Sequence, residues 1–370
     1  MKKQPRIIIS GGGTGGHIFP AISIANAIKE LRPESEFLFI GAENRMEMEK
    51  VPAAGYPIVG LPVSGFDRKS MLKNFKVVFR LGKSLLKARR TVKSFRPDVA
   101  VGVGGYASGP TLKMANRLGI PTLLQEQNSY AGVTNKLLAQ KAAKICVAYD
   151  NMERYFPKEK LILTGNPVRQ DLFGGENKRN EALTYFNLNP DKKTILVVGG
   201  SLGARTINES ILNGLETIAS QPNIQVIWQT GKSFIGEAQN ALAKKGNLPV
   251  YVTDFVSRMD LAYAVADIIV SRAGASSISE FCLLGKPVVL VPSPNVAEDH
   301  QTKNAMALVE KNAARMVTDA DARKELIRTV LTLIQEKEKM NELGQSILKL
   351  AQHDSARRIA EEVLILADKA

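Results

Sequence analysis

The chain has 370 residues, enough for about two domains. Its 44% apolar and 23% charged residues exclude disordered and fibrous classes, and its two cysteines cannot build a disulfide framework. Fifty Lys and Arg against thirty-six Asp and Glu leave a net charge of +14, which asks for an acidic partner (nucleic acid, an anionic membrane face or a phosphorylated ligand) without choosing among them.

The amino terminus, Met1 to Arg6 ahead of Ile7-Ile8-Ile9, is too short in apolar residues for a signal h-region, and no run reaches the roughly 18 apolar residues that span a bilayer. The chain therefore reads as soluble and cytoplasmic, or as lying on a membrane surface without crossing it. Cys146 and Cys282 sit beside apolar residues and read as buried thiols of a reducing compartment.

Ile7-Ile8-Ile9 reads as a strand, Gly11 to Gly16 as a glycine loop and about Pro20 to Leu31 as a helix. Further strands are expected at Phe37 to Ile40, Val99 to Val103, Thr122 to Gln125 and Lys144 to Ala148. With helical patterns between several of them, this argues a parallel sheet covered on both faces. The GGGTGGH loop satisfies GxGxxG after a strand, so its bare backbone can approach a phosphate at a helix N-terminus. A nicotinamide site also wants an acid closing the second strand, but Gly41 follows Ile40 and Glu43 comes later. His17 ends the loop with the intrinsic pKa of a general base, while a helix N-terminus disfavours its cation; ligand contact and proton transfer both stay open.

Between Phe66 and Pro97 eleven basic residues stand against one acid, Asp67, with Leu72, Phe75 and Phe79 interleaved among Lys76, Arg80 and Lys83. Such a stretch suits an anionic bilayer surface. A domain-packing helix with a solvated basic face is the plainer alternative, and nucleic acid a third without any accompanying motif. Next come GVGGYASGP, Gly102 to Pro110, and Gln125-Glu126-Gln127-Asn128, both at the carboxyl edge of the first sheet, where open α/β folds bind ligands. Four such polar residues in a row point away from packing, although any one of them alone reads equally as a helix cap or a satisfied turn.

Gly165 to Asn180, rich in glycine and charge, reads as a linker. The pattern then restarts: a strand at Thr194 to Val198, the loop GGSLGA (Gly199 to Ala204), a helix, and strands at Ile224 to Trp228, Val250 to Val252, Ile268 to Ser271 and Val288 to Val291. Arg272 supplies a charge where Ser271-Arg272-Ala273-Gly274-Ala275-Ser276-Ser277 opens a helix, and Glu280 reads either as the acid of a capping box on Ser277 or as a ribose ligand. Pro292 to Asn295 and Glu298-Asp299-His300-Gln301 form a polar cluster suited to a sugar, or a solvated loop with an N-cap. Asp319-Ala320-Asp321 matches a metal-binding Asp-x-Asp but precedes the amphipathic helix Arg323 to Ile334, which it most simply caps, so no metal is invoked. Ser355 to Ala367 closes the chain as an amphipathic helix that needs a docking surface.

Taken together, GGGTGGH, GGYASGP, QEQN, GNPVR (Gly165 to Arg169), GGSLGA, QTGK (Gln229 to Lys232), SRAGASSISE and DHQ resemble the MurG family of bacterial cell-wall glycosyltransferases, in order and over nearly the whole chain. The resemblance implies an α/β GT-B architecture, two Rossmann-like parallel-sheet domains facing across a cleft. Residues 1–168 would be the acceptor-binding, membrane-facing domain, 169–349 the donor domain, and 350–370 a helix returning to the first. It also implies a reaction: N-acetylglucosamine passes from UDP-N-acetylglucosamine to the 4-hydroxyl of the muramyl sugar of lipid I (undecaprenyl-pyrophosphoryl-MurNAc-pentapeptide). The product is lipid II, formed with inversion and without metal or cofactor, by a peripheral protein on the cytoplasmic face of the inner membrane, with no nucleic-acid partner. Another GT-B enzyme of UDP-sugars, such as an epimerase, is the nearest alternative.

By position, the resemblance assigns Arg272, Ala275, Ser276, Ser277, Ile278, Ser279 and Glu280 to the donor loop, with Glu280 on the ribose. It places the Val256 backbone on uracil, Ser201 on the diphosphate and Gln301 on the sugar hydroxyls. Thr14, Gly15, Gly16, Asn128 and Arg169 match further donor positions. His17, Tyr106 and Glu126 match the acceptor side and are the catalytic candidates, His17 as base or as anchor of the acceptor diphosphate. Leu72, Phe75, Lys76, Phe79, Arg80 and Lys83 are the membrane candidates. The chain departs from some members in having Gln125 in place of His, His300 in place of Gln, and Ala-Ser-Ser after Arg-Ala-Gly in place of Ala-Leu-Thr.

Overall fold

The structure is a computed structural model that describes residues 4–63, 71–168, 178–246 and 248–370, without the side chains of 71–78 and 297. Two compact units divide the chain, one of residues 1–168 with 352–370 and one of residues 169–351.

In the first unit, strands β1 (Arg6–Ser10), β2 (Glu36–Ala42), β3 (Ile58–Leu61), β4 (Val99–Gly102), β5 (Thr122–Glu126), β6 (Lys144–Val147) and β7 (Leu161–Leu163) form one parallel sheet in the order β3-β2-β1-β4-β5-β6-β7. Helices α1 (Gly15–Leu31), α2 (Glu47–Ala53), α3 (Met71–Phe95), α4 (Ser108–Arg117) and α5 (Val133–Leu138) connect them. Helices cover both faces, which is why the β1 core reads as an unbroken apolar run: Ile7, Ile8 and Ile9 are all fully buried. Ile7 and Ile9 pack beneath Ile24 and Ile28 of α1, while Ile8 meets Ala88 and Val92 of α3 on the other face. Each such side chain stabilises the fold by about 1.5–3 kcal/mol.

In the second unit, β8 (Lys193–Val198), β9 (Ile224–Gln229), β10 (Val250–Thr253), β11 (Ile268–Ser271), β12 (Val288–Leu290) and β13 (Arg315–Met316) pair in parallel in the order β10-β9-β8-β11-β12-β13. Its helices are α6 (Lys178–Tyr185), α7 (Arg205–Asn213), α8 (Leu215–Ala219), α9 (Ile235–Lys245), α10 (Met259–Val265), α11 (Ala275–Leu284), α12 (His300–Val309), α13 (Ala322–Gln335) and α14 (Lys337–Leu348). The last helix, α15 (Ser355–Ala367), packs Ile359 and Val363 against α1 in the first unit. Arg32 pairs with Asp368 at 2.9 Å, Lys144 with Glu362, and Arg358 donates to the Leu163 carbonyl.

The strand order reverses direction between β1 and β4 in the first sheet and between β8 and β11 in the second. At such a point the loops leaving adjacent strands diverge and open a crevice at the strands' carboxyl ends. All four glycine- or serine-rich loops singled out in the sequence leave these four strands.

Several elements differ from the sequence reading. The edge strands β3, β7 and β13 are too short, at four, three and two residues, to show an alternation. Helix α1 begins at Gly15, five residues before Pro20, because Thr14 is extended and its carbonyl accepts from the His17 and Ile18 N–H groups. Helix α6 starts at Lys178, inside the stretch read as linker, and residues 169–177 lie outside the described set. Among the described residues no helix is long and apolar enough to cross a membrane.

Candidate functional site

In the first unit the switch-point crevice is built from the loop after β1 and the loop after β4. His17 is the third residue of α1, so its side chain leans back over the loop that precedes it. Its Nδ1 lies 3.1 Å from the Gly12 carbonyl oxygen and 3.3 Å from Thr14 Oγ1. A carbonyl can only accept, so in this hydrogen bond Nδ1 carries the proton, and in a neutral ring that leaves the lone pair on Nε2. Gly104, in the loop after β4, makes room for that nitrogen: a Cβ there would stand 2.9 Å from Nε2. Thr14 and Gly16 are exposed and Gly15 half-buried at the α1 N-terminus, where the helix dipole and bare N–H groups favour an anion. Tyr106, 56% exposed, stands in the loop after β4.

The Gln-Glu-Gln-Asn tetrapeptide, read as pointing away from packing, is packed over its first three residues. Gln125, Glu126 and Gln127 are all buried. Glu126 accepts from the N–H groups of Asn128 (3.1 Å) and Gly132 (3.0 Å) and from Asn135 Nδ2 (2.9 Å), which clasps the loop 128–135 around its carboxylate. Both oxygens are thus engaged within the first unit, which argues against the catalytic place expected of Glu126. Gln125 donates to Asn166 Oδ1 at 2.9 Å, Gln127 Nε2 donates to Gln125 Oε1 and to the Val103 carbonyl, and Asn166 Nδ2 donates back to the Gln127 carbonyl. The network stitches the ends of β4 and β5 to the Gly165-Asn166-Pro167 turn. Asn128 emerges half-buried from it; Arg169 lies outside the described residues.

One buried acid beside the His17 loop escaped sequence reasoning. Glu47, the first residue of α2, is 1% exposed and accepts from Gly13 N–H at 3.0–3.1 Å and from Ala42 N–H at 2.9 Å. Gly12 has φ +142°, and a Cβ on it would overlap the Glu47 carboxylate. The only sequence signal was an acid soon after the second strand, and Glu43 stood nearer.

In the second unit, α11 starts behind Gly274, which has no side chain to cap it, and no acid lies in its first turn. The N–H groups of Ala275, Ser276 and Ser277 thus form a donor set for an anion. Ser277 lies inside the helix, which removes the capping-box reading of Glu280; Glu280 instead accepts from Tyr263 Oη at 2.8 Å. Ile278 is 1% exposed, so its side chain is core and not ligand surface, while Ser279 Oγ donates to the Ala275 carbonyl. Arg272, expected to supply a charge where this helix opens, is engaged by the protein itself. Its guanidinium pairs with Asp319 at 2.5 Å and donates to the Val291 and Pro292 carbonyls, locking the turns after β11 and β12 together. Asp319 therefore does not cap α13, and Asp321 makes no side-chain cap bond; its carboxylate accepts from Thr318 Oγ1.

Gln301 links the turns after β11 and β12 on the other side, its Oε1 accepting from Ala273 N–H (3.2 Å) and Ser293 N–H (2.8 Å). It sits in α12, immediately after His300, whose Nε2 lies 3.1 Å from Glu298. Glu298 and Asp299 both hold left-handed backbone there, φ 53° and 55°, and Asp299, exposed, stands at the N-cap position of α12. Gln229 joins the remaining pieces: Nε2 donates to the Gly200 carbonyl beside exposed Ser201, and Oε1 accepts from Val256 N–H.

Helix α3 is packed along one face and exposed along the other. Ser84, Ala88 and Val92 are buried against the first unit, while Phe79 (66% exposed), Leu81 and Leu86 stand out among exposed Arg80, Lys83, Arg89 and Arg90. The Lys83 ammonium lies over the Phe79 ring at 4.7 Å. The side chains of Leu72, Phe75 and Lys76 lie outside the described residues.

Comparison with known proteins matches residues 7–147 to the glycosyltransferase family 28 N-terminal domain and residues 194–362 to the family 28 C-terminal domain. A protein of Phocaeicola vulgatus named UDP-N-acetylglucosamine--N-acetylmuramyl-(pentapeptide) pyrophosphoryl-undecaprenol N-acetylglucosamine transferase is 65% identical over 370 residues, 100% of this chain and 98% of its own. Among solved structures, MurG of Acinetobacter baumannii superposes with a TM-score of 0.80 at 26% identity, covering 98% of this chain and 99% of its own. A UDP-GlcNAc 2-epimerase from Neisseria meningitidis reaches 0.67 at 15% identity over 98% and 100%, a likeness of fold alone.

Proposed function

The chain belongs to glycosyltransferase family 28, and within it to the MurG family; from that membership we propose that it transfers N-acetylglucosamine from UDP-N-acetylglucosamine to the 4-hydroxyl of the muramyl sugar of lipid I, giving lipid II for peptidoglycan. The observation that carries this reading is the full-length 65% identity to a relative of that name. The epimerase alternative shares only the fold.

On this reading the second unit holds the donor. The Val256 carbonyl accepts from uracil and Glu280 from the ribose, while the α11 N-terminal N–H groups, with Ser201, face the diphosphate. Gln301 presents its amide to the sugar hydroxyls, and Arg272 acts by holding the turns that position Gln301 and α11. Thr14, Gly15, Gly16, Asn128 and Arg169 complete the donor contacts.

The first unit holds the acceptor, near Tyr106. His17 Nε2 takes the proton of the 4-hydroxyl as that oxygen bonds to the anomeric carbon from the face opposite UDP; the bond from the anomeric carbon to the diphosphate oxygen breaks, and its electrons leave with UDP. The growing charge on UDP falls on the α11 N-terminus, preorganised and without a competing side chain. The exposed apolar and basic face of α3 supports a peripheral place on an anionic membrane surface, the cytoplasmic face where UDP-sugars are found. The test supplies labelled UDP-N-acetylglucosamine with and without a lipid I analogue. Label should appear on the acceptor only when the acceptor is present; its absence, or conversion of the UDP-sugar alone, overturns the reading.

A further inference from the structure

Glu47 and His17 touch opposite ends of one peptide group. The Gly12 carbonyl oxygen faces His17 Nδ1 at 3.1 Å, and the N–H of the same peptide unit, that of Gly13, donates to both carboxylate oxygens of Glu47 at 3.0–3.1 Å. Glu47 is held in turn by Ala42 N–H at 2.9 Å, at the end of β2, so the carboxylate is anchored to the sheet. It is 1% exposed, where a charge strengthens the hydrogen bonds it accepts.

We infer that Glu47 is a positioning residue for His17, acting through the Gly12–Gly13 peptide to hold the imidazole as the Nδ1–H tautomer with its lone pair on Nε2. The second partner of Nδ1 shows why such a device is needed. Thr14 Oγ1, at 3.3 Å, can accept from a protonated Nδ1 or donate to a bare one, and so accommodates either tautomer. The Gly12 carbonyl does discriminate, and its orientation is that of the peptide plane pinned by Glu47. A carboxylate on the N–H side also pulls electron density toward the carbonyl oxygen, which strengthens the bond to Nδ1–H. The arrangement does through a peptide what a carboxylate bonded directly to a histidine does in a catalytic triad. Gly12 and Gly41 leave the space the Glu47 side chain fills, since a Cβ on either would run into it.

The inference rests on the reading of His17 as the proton acceptor, and the experiment separates the two. Protein labelled with 15N-histidine, with His17 assigned by the loss of its signals in His17→Ala, reports the tautomer directly. Turnover and the KM for UDP-N-acetylglucosamine are measured on the same samples, and melting and UDP binding check folding. In the wild type, His17 should be the Nδ1–H tautomer. In Glu47→Gln the side chain keeps one acceptor but turns an amide N–H toward that of Gly13, so the Nε2–H form should grow in. Turnover should then fall about 10- to 100-fold, the range seen when a group orienting a histidine is lost, with KM within about twofold. An Nε2–H tautomer in the wild type overturns the inference without any variant, even if Glu47→Gln fails to fold. So does Glu47→Gln with the wild-type tautomer, whatever its turnover. If Glu47→Gln shifts the tautomer while His17→Ala keeps full turnover, the coupling stands and the reading of His17 as base fails.

Discussion

At the scale of single residues, the chemistry proposed for the first unit concentrates on His17. Removing a positioned base typically costs 10²- to 10⁴-fold in rate, so His17→Ala should lower turnover by at least about 100-fold. UDP affinity should change by less than about twofold, because the proposed donor contacts of the second unit are untouched. A variant retaining most of the wild-type rate would remove His17 from the mechanism. His17 stood out in the sequence because a histidine ending a glycine loop has few structural reasons to be there. Glu126, Arg272 and Asp319 were misread for a common reason. Each is a polar side chain beside a motif, and what occupies it is a partner distant in the chain or a backbone group presented by a fold: Asp319 for Arg272, 47 residues away, and the curled loop to Asn135 for Glu126. A buried polar group must find partners, and local spacing does not say which.

At the scale of elements, α3 and the α6–α10 pair carry predictions of opposite kinds. On α3 the exposed basic side chains surround apolar ones that find no cover among the described residues of the first unit. Near an anionic surface each basic residue contributes about 1 kcal/mol, so Arg80→Gln with Lys83→Gln should weaken partition onto vesicles containing anionic lipid roughly thirtyfold, with UDP binding unchanged. Equal partition by wild type and variant would return α3 to a plain packing helix. At the start of α10, Asp260 accepts two bonds from Arg258 at 2.9 Å and pairs with Lys178 of α6 at 3.0 Å. The Arg258 guanidinium, with Lys178, holds its carboxyl far below the usual carboxylate range. A depressed pKa stabilises the fold above the ordinary carboxylate pKa, near 4, and that contribution is lost as pH falls below it. Asp260→Asn should therefore cost about 1 kcal/mol near pH 7, the scale of a partly exposed bidentate pair. The gap from wild type in denaturant melts should close between about pH 4 and pH 2; a gap that does not vary with pH would assign the effect to packing.

At the scale of the whole molecule, each unit carries one thiol, and the two make separate reporters. Cys146 on β6 and Cys282 in α11 are buried, and burial pushes both thiols up to about 12, so neither reacts until its own unit opens. If the second unit binds UDP, the nucleotide at 100 times its Kd should slow labelling of Cys282 about 100-fold, provided labelling follows opening of that unit, and leave Cys146 unchanged. Protection of Cys146 alone would move the nucleotide to the other unit. What the sequence determined by itself follows from local physics: long apolar runs ending in glycine loops fix two parallel sheets and the strands that carry ligand loops, because both faces of such strands must be buried. The tertiary structure alone decided which polar groups remain for a ligand. It consumed Glu126, Gln125 and Arg272 as braces, brought Glu47 beneath the loop of His17, and left the α11 N-terminus uncapped. Those outcomes depend on which distant donors and acceptors meet when the sheet closes, and a buried carboxylate is placed by all of its partners together.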